Sequence, residues 1–136
     1  MRFLMVSLIA LMVFLAGCAA YQSTGTGQAS ETGVKATGVK HEIDITSSGF
    51  SPRLSGVKLG DTLVFVNKDT SPHWPASDIH PTHSAYPEKG GCIDSKFDAC
   101  KELKQNGKYE FTFFQSGSWC FHDHLNPSVT GCVDVQ

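Results

Sequence analysis

Apolar and polar residues alternate with a period of two in three segments of the chain. The apolar members are Ile43 and Ile45, then Leu63 and Phe65, then Tyr109, Phe111 and Phe113. Because successive side chains of a β-strand point to opposite faces, this period predicts half-buried strands. No stretch has apolar residues at helical spacing over three turns, although Lys101 to Gln105 would accommodate a short helix.

Turn-forming residues separate these strands. They are Gly60-Asp61, Asn67 to Pro72, Asn106-Gly107 and Ser116-Gly117. Several short strands with frequent turns in so small a chain predict an all-β fold, a Greek-key β-sandwich or barrel. The stretch from Ser71 to Cys100 is longer than most connections in compact domains, and loops of that length tend to carry function.

The N-terminus has the charge and hydropathy pattern of an export signal. Arg2 precedes an apolar run from Phe3 to Leu15, and the sequence Leu-Ala-Gly leads directly into Cys18. The run is too short to span a bilayer comfortably, so residues 1–17 are predicted to be a cleaved lipoprotein signal peptide. Acyl chains on Cys18, each worth about 0.8 kcal/mol per buried methylene, would hold the protein on a membrane. We therefore expect a membrane-anchored lipoprotein outside the cytoplasm, in a periplasm or on the cell surface.

Two further segments follow the signal. Residues 18–40 are mostly small and polar, and they can bury too little apolar surface to offset the entropy of ordering, which predicts a flexible tether. Residues 41–136 have a length that fits one domain. The formal net charge is −2 and no basic cluster is present, so nucleic acid is not an expected partner.

The chain has five cysteines, four of them after Cys18. The four are Cys92, Cys100, Cys120 and Cys132. An even number of cysteines in an exported chain favours two disulfides. Of the three pairings, we prefer the one in chain order, Cys92 with Cys100 and Cys120 with Cys132, because it closes only two short loops. A thiolate metal ligand among the four is the alternative.

Five of the six histidines fall in two short segments far apart in the sequence. His73, His80 and His83 lie in the long loop, and His122 and His124 flank Asp123 near a strand end, whereas His41 is interpreted as a surface residue. Residues two apart on a strand face the same side, so His122 and His124 can present both imidazoles to one ion. Prolines at 72, 75 and 81 restrict the long loop and lower the entropy lost on forming a site there.

The five clustered histidines therefore predict a metal site. Neutral imidazole suits copper, zinc, iron and nickel, and copper(II) binds most tightly of the divalent first-row ions at a given nitrogen site. Copper is the leading metal, with zinc or another divalent transition metal as the alternative. Because a ligating imidazole must be unprotonated at one nitrogen, metal affinity should fall as the pH drops through about 6.5.

Two longer stretches resemble the cupredoxin family over residues 41–135. Residues 49–52 and 57–69, followed by His73, resemble the family's first half, in which a strand ending in Asn leads to the first copper-ligand histidine. Residues 117–135 resemble the family's last hairpin, which carries the Cys, His and Met ligands. The resemblance implies a cupredoxin-like fold, a bound copper ion and electron transfer.

The last hairpin departs from the family's ligand pattern. Pro127 and Gly131 fall on the family's Pro and Gly, but the ligand positions hold Asp123 for Cys, Asn126 for His and Val129 for Met. A shifted alignment could use Cys120 and His124 as thiolate and imidazole ligands, yet it still lacks an axial sulfur donor. The resemblance therefore supports the fold more strongly than it supports blue-copper electron transfer.

Three classes of function remain open on the sequence. The leading one is a non-enzymatic protein that binds or transfers copper, or transfers electrons, with a redox or copper-accepting partner protein. His73, His122 and His124 would build its site, and His80 and His83 would add ligands. The second is an enzyme with an open histidine-ligated metal, for which only Asp78 and Asp123 offer acid–base groups. The third is a metal-free structural β-sandwich.

Overall fold

Two β-sheets make up the computed structural model, which describes residues 33–136. Its seven strands are β1 (Lys40–Thr46), β2 (Gly49–Ser51), β3 (Thr62–Asn67), β4 (Pro75–Ser77), β5 (Lys108–Thr112), β6 (Gly117–Asp123) and β7 (Asn126–Val135). One sheet has the order β2-β1-β3-β5 and the other has the order β4-β6-β7. The predicted all-β fold is confirmed.

Within the described residues no helix is long and apolar enough to cross a membrane. The predicted signal peptide, Cys18 and most of the predicted tether lie outside them.

Strand pairing brings the two halves of the domain together. β1 runs parallel to β3, from Lys40 opposite Thr62 to Ile45 opposite Asn67, and β5 pairs antiparallel with the other side of β3. β6 and β7 form a long antiparallel hairpin, and β4 pairs with the end of β6. The second sheet therefore places the long loop that follows β4 beside the β6–β7 turn.

Aromatic side chains fill the space between the sheets. Phe65 is fully buried, and its ring centroid lies 5.1 Å from that of Phe121 and 6.0 Å from that of Phe97. The prediction that β3 is half-buried is wrong, because all six of its residues are buried. β3 lies between β1 and β5, so its outward residues have a side chain on each flank: Val64 is opposite Glu42 on β1 and Glu110 on β5 and is only 6% exposed.

Residues 101–105 do not form the short helix that the sequence would accommodate. Leu103 is instead extended, because its backbone N–H donates to the His73 carbonyl at 2.6 Å and its carbonyl accepts from the His73 N–H at 3.2 Å. The buried Asn67 side chain donates to the carbonyls of Leu103 and Ser71 at 2.8 and 2.7 Å. These bonds fix the loop that runs from β3 to His73.

Both disulfides join cysteines in chain order, as predicted. Cys120 and Cys132 face each other across β6 and β7, with their Cα atoms 3.9 Å apart. Cys92 and Cys100 close a loop between β4 and β5, with a Cα–Cα distance of 5.5 Å. All four cysteines of the described part of the chain are therefore paired.

The end of the predicted tether lies against the start of β3. Thr37 donates its backbone N–H to the Gly60 carbonyl at 2.9 Å and its hydroxyl to Asp61 at 2.5 Å. The His41 ring bonds the other Asp61 oxygen at 2.8 Å and is 27% exposed. The hydrogen bonds from His41 and Thr37 hold the pKa of Asp61 below its ordinary value. His41 thus has a structural partner on this side of the domain.

Candidate metal centre

Four histidines converge where the loop after β4 meets the β6–β7 turn. They are His80 and His83 from the loop, His122 from the end of β6, and His124 from the turn. One ring nitrogen from each lies within 4.8 Å of all the others. Because a bond between a metal ion and an imidazole nitrogen is about 2.0 Å long, ligands on opposite sides of an ion are about 4 Å apart. The four nitrogens are therefore close to the spacing of a single coordination sphere.

His122 points a free nitrogen into this cluster. Its Nδ1 lies 2.9 Å from Asp78 Oδ1, and since a carboxylate only accepts, Nδ1 carries the proton. Its Nε2 is left as a buried acceptor without a hydrogen-bond partner among the described residues. A buried polar atom without a partner loses about 1 to 3 kcal/mol of solvation. A metal ion at this position would supply the missing partner.

His83 is the most buried member of the cluster, with no exposed side-chain surface. Its Nδ1 donates to Asp98 Oδ2 at 2.6 Å, which leaves Nε2 as an acceptor facing the cluster. His124 donates from Nδ1 to that Nε2 at 2.8 Å. If both rings bind one ion through these two nitrogens, His124 carries its proton on Nε2 instead, and the hydrogen bond between the two histidines is lost.

Carboxylates and an indole behind the histidines orient their rings. Asp98 accepts from the Trp74 indole N–H at 2.7 Å as well as from His83, and its side chain is fully buried. The Trp74 ring packs against His124 with centroids 4.4 Å apart, and the Trp74 carbonyl accepts the His124 backbone N–H at 2.7 Å. Such outer partners fix the tautomer and orientation of metal-ligating histidines.

Burial and the neighbouring histidines lower the pKa values of two of these imidazoles. Burial lowers the pKa of His122 and is only partly opposed by the hydrogen bond to Asp78. Burial also lowers the pKa of His124, with further contributions from the neighbouring charges of His83 and His80. A lowered pKa favours the unprotonated ring, which is the form that binds a metal ion.

His73 lies apart from the four-histidine cluster. Its Nδ1 is 2.7 Å from Asp123 Oδ2 and its Nε2 is 3.3 Å from Asp69 Oδ2. The other Asp123 oxygen accepts the Trp74 backbone N–H at 2.8 Å. Of the five histidines singled out in the sequence, the structure thus brings four together and places His73 in a separate buried pair with carboxylates.

A blue-copper ligand set does not fit these residues. Such a site needs one Cys thiolate with two His nitrogens. Cys120 is bonded to Cys132, and Asp123, which takes the family's Cys position, pairs with His73. The four-histidine donor set does fit a copper(II) ion, because imidazole nitrogen is a suitable ligand for it and one of the four nitrogens has no other partner.

Sequence reasoning did not single out two residues that support the cluster. Asp98 lies in the long loop two residues before Cys100, and Trp74 follows His73 directly. Asp98 is fifteen residues from His83 in the chain, so no local spacing pattern links them. Only the rule that metal-ligating histidines are backed by carboxylates would have prompted a search for such a residue.

Comparison with solved structures identifies the fold. A mutant of amicyanin in the Cu(I) form is 23% identical, with a TM-score of 0.54 over 71% of this chain and 82% of its own. An oxidised amicyanin mutant is 25% identical, with a TM-score of 0.54 over 70% of this chain and 80% of its own. A purple cupredoxin from Nitrosopumilus maritimus is 21% identical, with a TM-score of 0.55 over 70% of this chain and 98% of its own. No protein-family model matches the sequence, and no match was found among curated proteins. The described residues form a cupredoxin-like domain, as the sequence resemblance implied.

Proposed function

We propose that this protein binds one copper ion outside the cytoplasm through the four-histidine cluster and transfers it to a partner. The main support is the convergence of four imidazole nitrogens within 4.8 Å of one another, on a fold shared with copper proteins. Zinc is the alternative metal for the same donors, since imidazole suits both ions. When bound, copper would supply a one-electron couple, so electron transfer is compatible with the same site.

The chain's own residues divide into binding and positioning groups. His83 and His122 are buried and backed by Asp98 and Asp78, so they would form the rigid side of the site. His80 is exposed and no carboxylate is bonded to its ring among the described residues. It can therefore move away more easily than the others. We propose that His80 is the ligand that opens when copper enters or leaves.

Copper-loaded protein is expected to lack the intense visible absorption band that a copper–thiolate bond produces. Nitrogen ligation favours tetragonal copper(II), and all four cysteines after Cys18 are held in disulfides. Absorption and electron paramagnetic resonance spectra of protein titrated with copper(II) would test this, with nitrogen hyperfine structure as the expected signature. An intense blue, purple or red chromophore would contradict a site made of four histidines.

Copper(II) binding is expected to persist below pH 6.5, the ordinary pKa of histidine, whereas the sequence alone predicted that affinity would fall as the pH drops through that value. The pKa values of His122 and His124 are lowered, so both rings remain neutral to lower pH and protons compete less with the metal. The paramagnetic resonance signal of bound copper, followed from pH 8 to pH 4.5 at a fixed total concentration, measures the midpoint. A midpoint at or above pH 6.5 would contradict the protected, neutral imidazoles that we describe.

We further propose that Cys18 anchors the protein to a membrane through acyl chains, as the export signal suggests. The Cys18→Ser variant should then appear in the soluble fraction of cells. Wild-type protein should remain with the membranes and extract only into detergent. If the two proteins fractionate alike, the anchor is wrong, whereas copper binding by residues 33–136 would be unaffected.

A further inference from the structure

The Cys92–Cys100 disulfide touches the carboxylate that supports His83. Cys92 Sγ lies 3.3 Å from Asp98 Oδ2, the same oxygen that accepts the His83 Nδ1–H at 2.6 Å. The two sulfurs and the Asp98 carboxylate are within 4.8 Å of one another. One oxygen atom therefore separates the disulfide from a histidine of the metal cluster.

The same disulfide also controls the position of Asp98. Asp98 lies inside the loop that the disulfide closes, and its Oδ1 accepts the Cys100 backbone N–H at 2.8 Å. The only other donor to Oδ1 among the described residues is the Trp74 indole, at 2.7 Å. Opening the disulfide would release one end of this loop and thus loosen the carboxylate behind His83.

Reductants can reach this disulfide from solvent. Cys92 and Cys100 are both exposed and lie in a loop without long strand pairing. In the other disulfide Cys132 is also exposed, whereas Cys120 is half-buried, and the β6–β7 ladder holds the two residues opposite each other. Exchange needs access of a thiolate to a sulfur and separation of the two sulfurs afterwards. The loop disulfide should react first, because both of its cysteines are exposed and no strand ladder holds them together.

We propose that Cys92 and Cys100 form a thiol–disulfide exchange site that regulates metal binding by the four-histidine cluster. Its reactant is a dithiol, either a small molecule or a dithiol protein. One reductant thiolate attacks a sulfur of the pair, which breaks the Cys92–Cys100 bond and forms a mixed disulfide. The second reductant thiol displaces that sulfur. The reductant leaves as a disulfide, and Cys92 and Cys100 receive two electrons and two protons.

Reduction weakens metal binding through Asp98. The Cys92 thiol can donate its new S–H to Asp98 Oδ2, which weakens that oxygen as an acceptor for the His83 Nδ1–H, and the opened loop lets the carboxylate move away from His83. Loss of an outer-shell partner of a metal-ligating histidine typically lowers metal affinity about 10- to 100-fold. The oxidised protein is then the tight-binding form. This inference rests on the proposed metal binding by the cluster.

The reactivity of the disulfide can be measured without metal. The metal-free protein is equilibrated in buffers of increasing dithiol to disulfide ratio, free thiols are alkylated, and peptides are analysed by mass spectrometry. We expect Cys92 and Cys100 to become alkylated at a lower ratio than Cys120 and Cys132. Simultaneous reduction of the two pairs, or earlier reduction of Cys120 and Cys132, would overturn the assignment of an exchange site.

Coupling to the metal is tested with variants that mimic the open loop. Copper(II) and zinc(II) affinities are compared for wild type, Cys92→Ser/Cys100→Ser, Asp98→Asn, and the triple variant. We expect Cys92→Ser/Cys100→Ser to lower metal affinity about 10-fold or more relative to wild type. In the Asp98→Asn background, the same two serine substitutions should change the affinity by less than about twofold. An equal loss in both backgrounds would overturn coupling through Asp98.

The outcomes also separate this inference from the proposed function. If oxidised wild-type protein binds neither copper(II) nor zinc(II), the proposed metal site is wrong. If it binds metal and the double serine variant binds with unchanged affinity, only the proposed regulation is wrong. Thermal unfolding of each variant, recorded without metal, shows whether a lost affinity instead reflects an unfolded domain.

Discussion

Replacing His124 with alanine is expected to weaken copper(II) binding by more than about 100-fold. Even the loss of an outer-shell partner lowers affinity about 10- to 100-fold, and this substitution removes one of four direct ligands. The fold should tolerate the change, because the ring is only partly buried and its hydrogen bond goes to His83 rather than to a buried carboxylate. Competition with a chelator of known affinity would measure the loss.

His41→Ala is the matched control for this experiment. It removes the same side chain from a position whose only ring partner among the described residues is Asp61. Affinity should stay within about twofold of wild type, although some stability is expected to be lost with the His41–Asp61 bond. Equal losses of copper affinity in the two variants would show that the metal is not held by the four-histidine cluster.

His73→Ala should have the opposite profile, a large loss of stability with nearly unchanged copper affinity. The His73 side chain is 10% exposed and that of Asp123 is 1% exposed, and their ring and carboxylate are 2.7 Å apart. Removing one partner of a buried hydrogen bond costs about 1 to 3 kcal/mol, and more where the remaining group is charged. We expect the lower end of that range, since Asp123 still accepts backbone N–H groups from Trp74 and Leu125.

The His73 measurement needs two readouts and one companion variant. Chemical denaturation without metal gives the free energy of unfolding, and chelator competition gives the affinity of the folded protein. The double variant His73→Ala/Asp123→Asn removes the uncompensated charge and should recover part of the stability. A loss of copper affinity comparable to that of His124→Ala would instead make His73 a metal ligand.

Strand geometry explains why the histidines divide in this way. His122 and Asp123 are adjacent at the end of β6, so their side chains leave the strand on different sides. Asp123 pairs with His73, whereas His122 joins the residues of the long loop. In the resemblance to cupredoxins, Asp123 takes the Cys position and His73 follows the strand that leads to the first ligand. A buried, hydrogen-bonded His73–Asp123 pair thus stands at those two positions, and the four-histidine cluster lies beside it.

The sequence by itself determined the fold class and favoured the disulfide pairing that the structure shows. Alternation at Ile43 and Ile45 predicts a strand because that period is a local property of the backbone. The pairing of Cys92 with Cys100 also follows from the chain, since both pairs close short loops. The burial of Val64 and Val66 in β3 did not follow, because it depends on which strands flank β3 in the sheet.

Only the tertiary structure decided which histidines share a site. The sequence marked five of them by density, but density does not distinguish His73 from His83, which lie in the same proline-containing loop. What separates them is the partner that each ring meets: Asp123 for His73, and Asp98 for His83. These partners come from 50 and 15 residues away, and their approach depends on strand register and on the course of the long loop. Contacts of that kind arise from packing between distant segments, so no local pattern of residue types encodes them.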